Sequence, residues 1–317
     1  MNNFSVGLGT AAIGRPLYIN IQQNVREIFD LEIFKAKGIE VLETAYKKGI
    51  RYYDTAPGYG LAEELLADWI KTKKDQTIEV ATKWGYVYTA NFDPNASIHE
   101  VKDHSIEQLI QQWEVSKELL PNLSTLQIHS ATFDTGVLEN EAVLQKLAQI
   151  KKQYHIRIGV TTSGDNQVDV LRKALEIAVD NQPLFDVFQV TYNILEQSLA
   201  TILDLIKKKG NRIIIKEGLA NGRLLPNPNY PHYLKLYNVL EQLAAKYEIG
   251  VDAVALRFCI QTIEPFMVLS GASDSYQLEE NWKLNNFELS EEEIKQLQSF
   301  RVQSTDYWLE RKKLKWH

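Results

Sequence analysis

The chain has 317 residues, 44% hydrophobic and 24% charged, a composition that excludes a disordered, collagen-like or coiled-coil protein and allows one large core. Its 35 basic against 41 acidic residues leave a net charge of −6, which excludes a uniformly basic nucleic-acid surface, so any anion has to be held locally. One cysteine, no run of 18 apolar residues and no signal-peptide pattern after Met1 lead to the expectation of a cytoplasmic protein without disulfides or membrane contact.

Short β-branched or aromatic runs alternate with segments of helical period. Strands are predicted at residues 4–9, 50–54, 78–83, 125–129, 157–161, 187–191, 212–216 and 266–270. Helices are predicted between them at 31–48, 61–73, 101–120, 137–153 and 168–179. An alternating βα series implies a parallel sheet with right-handed crossovers, and eight units of about forty residues each match a closed (β/α)8 TIM barrel better than an open doubly wound sheet. No linker or shift in composition divides the chain, so residues 1–317 are read as a single α/β domain. The long segment 15–30 and the tail 301–317, with Tyr307, Trp308 and Trp316, are expected near the barrel mouth.

A barrel of this kind builds its active site at the carboxyl ends of the strands, so polar residues that close apolar runs are the candidates. Asp54 ends the second strand, Lys83 the third and His129 the fourth, and Tyr59 follows Asp54 by five residues in a Gly/Pro loop. Each has an ordinary explanation taken singly. Asp54 can be a turn former, Lys83 a snorkelling strand end, His129 a satisfied core histidine and Tyr59 a surface aromatic. Together at adjacent strand ends they point to proton transfer by tyrosine. A neighbouring ammonium, Lys83, is expected to stabilise the phenolate and bring the Tyr59 pKa down. Asp54 would hold Lys83, and His129 would donate to the oxygen of a carbonyl, which becomes an alcohol when a hydride is delivered.

Gly7-Leu8-Gly9-Thr10, Asp54-Thr55-Ala56-Pro57-Gly58-Tyr59-Gly60, Ala81-Thr82-Lys83 and Leu126-Gln127-Ile128-His129 resemble, in order and spacing, the aldo-keto reductase superfamily. The resemblance continues through Gly159-Val160-Thr161-Thr162, Gln189-Val190-Thr191-Tyr192, Leu219-Ala220-Asn221-Gly222 and Gly271-Ala272-Ser273. It implies a barrel that binds NAD(P)(H) in an extended pose and passes hydride to a carbonyl held by Tyr59 and His129. Carried over by position, Gly9, Thr10 and Asp54 would flank the cofactor, and Thr161, Thr162 and Gln189 would contact the carboxamide. Lys216, Gly218, Leu219, Ala220 and Gly222 would line the pyrophosphate path, and Gly271, Ser273, Gln277, Glu280 and Asn281 would surround the adenosine. No metal is implied. The substrate would be a small carbonyl compound or sugar.

The chain also departs from the pattern. Thr161-Thr162 stands where Ser-Asn is common, and Lys216-Glu217-Gly218 where many members have Tyr-Ser-Pro, so the aromatic that stacks on nicotinamide is missing there. Lys216 is read either as approaching the pyrophosphate or as pairing with Glu217. Family frequency leans to NADP(H). NAD(H) is the alternative, because no Lys or Arg lies in 270–277 and Asp274 would repel a 2′-phosphate. Other motifs are read as ordinary structure. Gly7-Leu8-Gly9 with Gly14 leads into Arg15-Pro16 rather than a Rossmann helix, His99 and His104 are read as solvated, Cys259 as buried filler, and the basic tail from Arg311 as solvated. A Schiff-base lyase using Lys83, or a cofactor-binding regulatory protein such as the potassium-channel β subunits that the resemblance also admits, are the alternative functions.

Overall fold

The computed structural model describes residues 6–16, 29–93 and 96–314. Eight parallel strands close into a barrel: β1 (Val6–Gly9), β2 (Tyr52–Asp54), β3 (Glu79–Trp84), β4 (Leu123–Ala131), β5 (Arg157–Thr162), β6 (Val187–Thr191), β7 (Arg212–Lys216) and β8 (Met267–Ser270). Around them run α1 (Leu31–Lys47), α2 (Ala62–Lys73), α3 (Ile106–Ser116), α4 (Glu141–Tyr154), α5 (Gln167–Glu176) and α6 (Leu203–Lys208). After β7 come α7 (Leu234–Tyr247) and α8 (Val251–Ile263), and after β8 come α9 (Ser275–Trp282), α10 (Glu291–Gln298) and α11 (Ser304–Arg311). The fold is the (β/α)8 barrel that the alternation implied, and its closure rules out the Rossmann reading of the glycines in β1.

Alternation along the strands fills the interior in tiers. At the amino-terminal end Arg212 lies 3.4 Å and Arg157 3.6 Å from the Glu79 carboxylate. Tyr52, Ala81, Val187, Ile214 and Leu269 form an apolar tier above, into which the Tyr52 ring fits because residue 7 is glycine: a Cβ there would lie 2.8 Å from Tyr52 Cδ1. Two residues further along each strand the tier is polar, with Asp54, Lys83, Gln127 and Gln189. The larger apolar core lies between barrel and helices and includes Cys259, whose thiol burial pushes well above the usual range.

Several boundaries differ from the sequence expectation. Residues 100–102 are not helical: Glu100–Lys102 pairs antiparallel with Tyr86–Tyr88, and α3 starts only after Ser105, whose hydroxyl accepts from the Gln108 amide. The helix expected to reach 179 ends at Glu176, because Asp180 and Asn181 adopt positive φ and turn Ala178–Val179 back onto Gln182–Pro183. Strand β4 runs on to Ala131 through a bulge at Ser130. Of the segment 15–30, residues 17–28 lie outside the described residues, as does Trp316.

Candidate active site

The polar tier converges on one carboxylate. Lys83 Nζ donates to Asp54 Oδ2 at 2.5 Å and to the Thr55 carbonyl at 3.0 Å. Asp54 Oδ1 accepts from Gln189 Nε2 at 2.7 Å and from Gln127 Nε2 at 3.3 Å. Strands β2, β3, β4 and β6 thus meet in a buried ion pair whose charges cancel and whose hydrogen bonds hold both partners still. The Lys83 nitrogen has no freedom to attack a carbonyl, which removes the structural basis of the Schiff-base reading.

Tyr59 is carried above this pair by a single 3-10 turn, Pro57–Tyr59, with proline preset for its first position. Lys83 Nζ lies 4.6 Å from the centre of the Tyr59 ring. The Arg15 guanidinium lies 5.4 Å from it and is fixed by Glu100 at 2.7 Å and the Gly58 carbonyl at 3.2 Å. The phenol oxygen is 3.5 Å from His129 Nε2.

The expectation that Lys83 lowers the Tyr59 pKa is not met. Burial raises it well above the ordinary phenol value, and the Asp54 charge raises it further. Burial and the Asp54 charge outweigh the nearby ammonium, so Tyr59 stands as a neutral phenol, a proton donor. His129 is driven the other way by burial and then by the Lys83 and Arg15 charges, so its ring is neutral. His129 Nδ1 is buried without a hydrogen-bond partner. An orphaned lone pair costs less than an orphaned N–H in an apolar wall, which assigns the proton to Nε2, beside Tyr59.

His104 is not the solvated residue the sequence suggested. It is 7% exposed, its Nε2 lies 2.9 Å from the His129 carbonyl and its Nδ1 3.0 Å from Thr135 Oγ1, and burial pushes its pKa down to about 4. His104 and Gln127 are the supports that the sequence reading missed. Gln127 was open to detection, since it shares strand parity with His129.

The expected cofactor residues are distributed unevenly. Thr161, Thr191 and Lys216 stand at the rim above the polar tier, and Thr161 Oγ1 accepts from the Ser130 amide at 2.7 Å. Thr162 has the opposite parity and turns its hydroxyl to Gln167 of α5 at 3.5 Å, away from the mouth. The Gln189 amide is committed to Asp54, and the Thr10 hydroxyl donates to the Asp54 carbonyl at 3.0 Å. Gly9 and Gly271 leave bare backbone at the β1 and β8 ends, where a Cβ on Gly271 would meet nothing within 4 Å. The 218–222 loop curls through positive φ at Ala220, Asn221 and Gly222, with Leu219 packed on the core and Gly218 tight against Leu256.

The outer cluster is satisfied internally. Gln277 accepts from the Ser273 amide and hydroxyl, Glu280 takes Lys283 at 2.6 Å, and Asn281 is buried between Ser270 and Asp252. Asp274 caps α9 by accepting from the Gln277 amide. At the other side of the mouth Arg311 is not solvated: it donates to Glu217 Oε1 at 2.7 and 3.1 Å. Arg223, fully buried, donates to Glu310 and to the Tyr307 carbonyl, so α11 is clamped onto the loops after β6 and β7. The expected tail is therefore a helix with Tyr307 and Trp308 buried. Among the described residues no cluster of His, Cys, Asp or Glu is placed to hold a metal, and no helix is long and apolar enough to cross a membrane.

The sequence profile of the Aldo/keto reductase family matches residues 6–302. The chain belongs to the aldo/keto reductase family. As a member it is an NAD(P)-dependent oxidoreductase. It is 24% identical to a pyridoxal 4-dehydrogenase of Microbacterium luteolum, over 87% of this chain and 88% of that protein. It is 24% identical to an NADH-specific methylglyoxal reductase of Escherichia coli strain K12, over 80% and 84%. The solved glycerol dehydrogenase of Gluconobacter oxydans shares the fold, with a TM-score of 0.70 at 22% identity over 93% of this chain and 90% of that one. In this aldo/keto reductase the rim carries groups of the kind the cofactor needs: Thr161 keeps a hydroxyl proton to donate, Lys216 is a cation on the side expected for the pyrophosphate, and Gly271 leaves bare backbone on the side expected for the adenosine. The adenosine-side residues fit less directly, because their polar atoms already bind one another.

Proposed function

We propose that this aldo/keto reductase interconverts an aldehyde, ketone or sugar lactol with the corresponding alcohol or lactone, with Tyr59 as general acid in reduction and general base in oxidation. The observation that carries the reading is the Tyr59 hydroxyl beside His129 Nε2, 3.5 Å apart in a buried mouth above a neutralised Asp54–Lys83 pair. A carbonyl oxygen placed between those two donors is polarised by the His129 Nε2–H and receives the Tyr59 proton as negative charge develops on it. When bound, NAD(P)H supplies the hydride. Held by Asp54 and Thr55, Lys83 presents its ammonium under the Tyr59 ring, where it offsets the charge left once the phenol gives up its proton. Tyr86 and residues 130–134 are the wall expected to face substrate, while Trp84 and Trp308 are buried in the core behind the mouth.

NADP(H) is the cofactor that the resemblance favours by frequency. The charges beside α9 weigh toward NAD(H), since Lys283 is taken by Glu280 and Lys48 lies 3.8 Å from Glu279. Fluorescence titration with NADPH and with NADH decides between them. Turnover of an aldehyde, ketone and sugar panel with the tighter cofactor tests the reaction. Turnover that survives in Tyr59→Phe would overturn the acid–base assignment, and cofactor binding without turnover across the panel would favour the regulatory alternative.

A further inference from the structure

Lys216 is a cation of the mouth that the proposed chemistry does not use. Along β7 the residues Arg212, Ile214 and Lys216 alternate inward: Arg212 joins Glu79 at the amino-terminal end, Ile214 belongs to the apolar tier, and Lys216 reaches the rim. Its side chain is only 18% exposed, and its Nζ donates to Thr191 Oγ1 at 3.0 Å. Glu217 is the nearest carboxylate at 4.0 Å, and its charge is already matched by Arg311, which donates to it from α11.

The groups that face Lys216 therefore cancel in pairs. Glu217 on its own loop is matched by Arg311 of α11, and Asp54 of β2 is matched by Lys83 of β3. Thr191 of β6 is an uncharged hydroxyl, and the His129 ring of β4 is neutral. What remains is the net positive charge of Lys216, in a setting where burial pushes its pKa down to about 8.

Tyr59 and His129 place the carbonyl oxygen over β2 to β4, so a hydride donor has to approach from the other half of the rim. That half presents Thr161, Thr191, Lys216 and the bare backbone of Gly271. We propose that Lys216 sets which oxidation state of the dinucleotide the mouth prefers, its ammonium favouring the uncharged dihydronicotinamide ring over the cationic nicotinamide ring. The inference rests on the proposed function, because it needs that ring in the mouth. An extra cation beside the ring in a partly buried site is worth roughly tenfold or more in the ratio of the two affinities. The preference follows the lysine's protonation. Below about pH 8 the ammonium disfavours the oxidised cofactor, and as the pH rises through that value the oxidised form binds more tightly while the reduced form does not change.

The test is the pair of dissociation constants for NADH, from its own fluorescence, and NAD+, by displacement, with NADPH and NADP+ as the second pair. Each is measured at about pH 6.5 and about pH 9.5 for the wild-type protein, Lys216→Met and Lys216→Arg. The wild type is expected to favour the reduced form at low pH and to lose roughly tenfold of that preference at high pH. Lys216→Met is expected to show the smaller ratio at both values, and Lys216→Arg to keep the preference without the pH response. A Met variant that retains the wild-type ratio and its pH response overturns the proposal, and so does an equal loss of affinity for both forms. If Lys216→Met does not fold, a pH-independent ratio in the wild type is the overturning result. Failure of the underlying reading has a separate signature, no binding of either form by the wild type, which removes this proposal with it.

Discussion

Gly14 lies so close to Tyr59 that a Cβ on residue 14 would sit 2.1 Å from the Tyr59 backbone oxygen and 2.4 Å from Ala62 Cβ. The Gly14 carbonyl also accepts from the Leu61 amide at 2.8 Å, so the single helical turn Ala11–Gly14 that follows β1 and the Tyr59 turn are locked backbone to backbone. Gly14→Ala forces that turn outward and displaces the phenol from His129. The expected result is a loss of kcat by tenfold or more and a cost of about 2 kcal/mol in stability, read by steady-state kinetics and thermal unfolding.

Lys83→Met leaves the Asp54 carboxylate buried with only two amide donors. It is expected to cost about 3–5 kcal/mol and abolish turnover. Adding Asp54→Asn removes the stranded charge, so the double variant should recover much of the stability and none of the activity. Denaturant unfolding of Lys83→Met, Asp54→Asn and the double variant checks the cycle, and an additive double variant would contradict the coupling.

His104 gives stability a defined pH dependence. Its pKa is about 4 when folded, against 6.5 for an ordinary solvated imidazole, so below pH 6.5 the unfolded chain takes up a proton that the folded protein refuses. The stability it contributes is complete above pH 6.5 and is lost progressively as the pH falls toward 4, by about 3 kcal/mol in all. Thermal unfolding across that window, compared with His104→Asn, should show a shallower slope in the variant.

Arg311→Met strands Glu217, whose side chain is 8% exposed, with Lys216 as the nearest remaining cation. Amide exchange in α11 is expected to speed up by an order of magnitude or more as the helix loses its anchor. With the repulsion from Arg311 gone, the Lys216 pKa should rise, moving the pH response of oxidised-cofactor binding upward.

The parts of this site legible in the sequence were those that end an apolar run. Asp54, Lys83 and His129 each close an apolar run in the sequence, and although β3 continues to Trp84 and β4 to Ala131, all three stand near the carboxyl ends of their strands. Parity was the signal left unread: it would have put Gln127 beside His129 and turned Thr162 outward. His104 was misjudged because residues 101–105 have helical composition, yet they form a hairpin strand and a cap, and only tertiary packing brings them under β4. The Arg311–Glu217 and Arg223–Glu310 pairs join positions 94 and 87 apart in the chain, and neither residue type nor spacing marks such partners in advance.

The clamp on α11 has an optical consequence. Trp308 is buried in that helix, with the Arg311 guanidinium 5.6 Å from its ring and Glu217 bound to Arg311. A charged or polar ligand that draws on Lys216 or Glu217 alters the field at the indole within one ion pair's reach. Trp308 is thereby an intrinsic probe wired to the β7 end, one whose emission should register events at the rim without an added label.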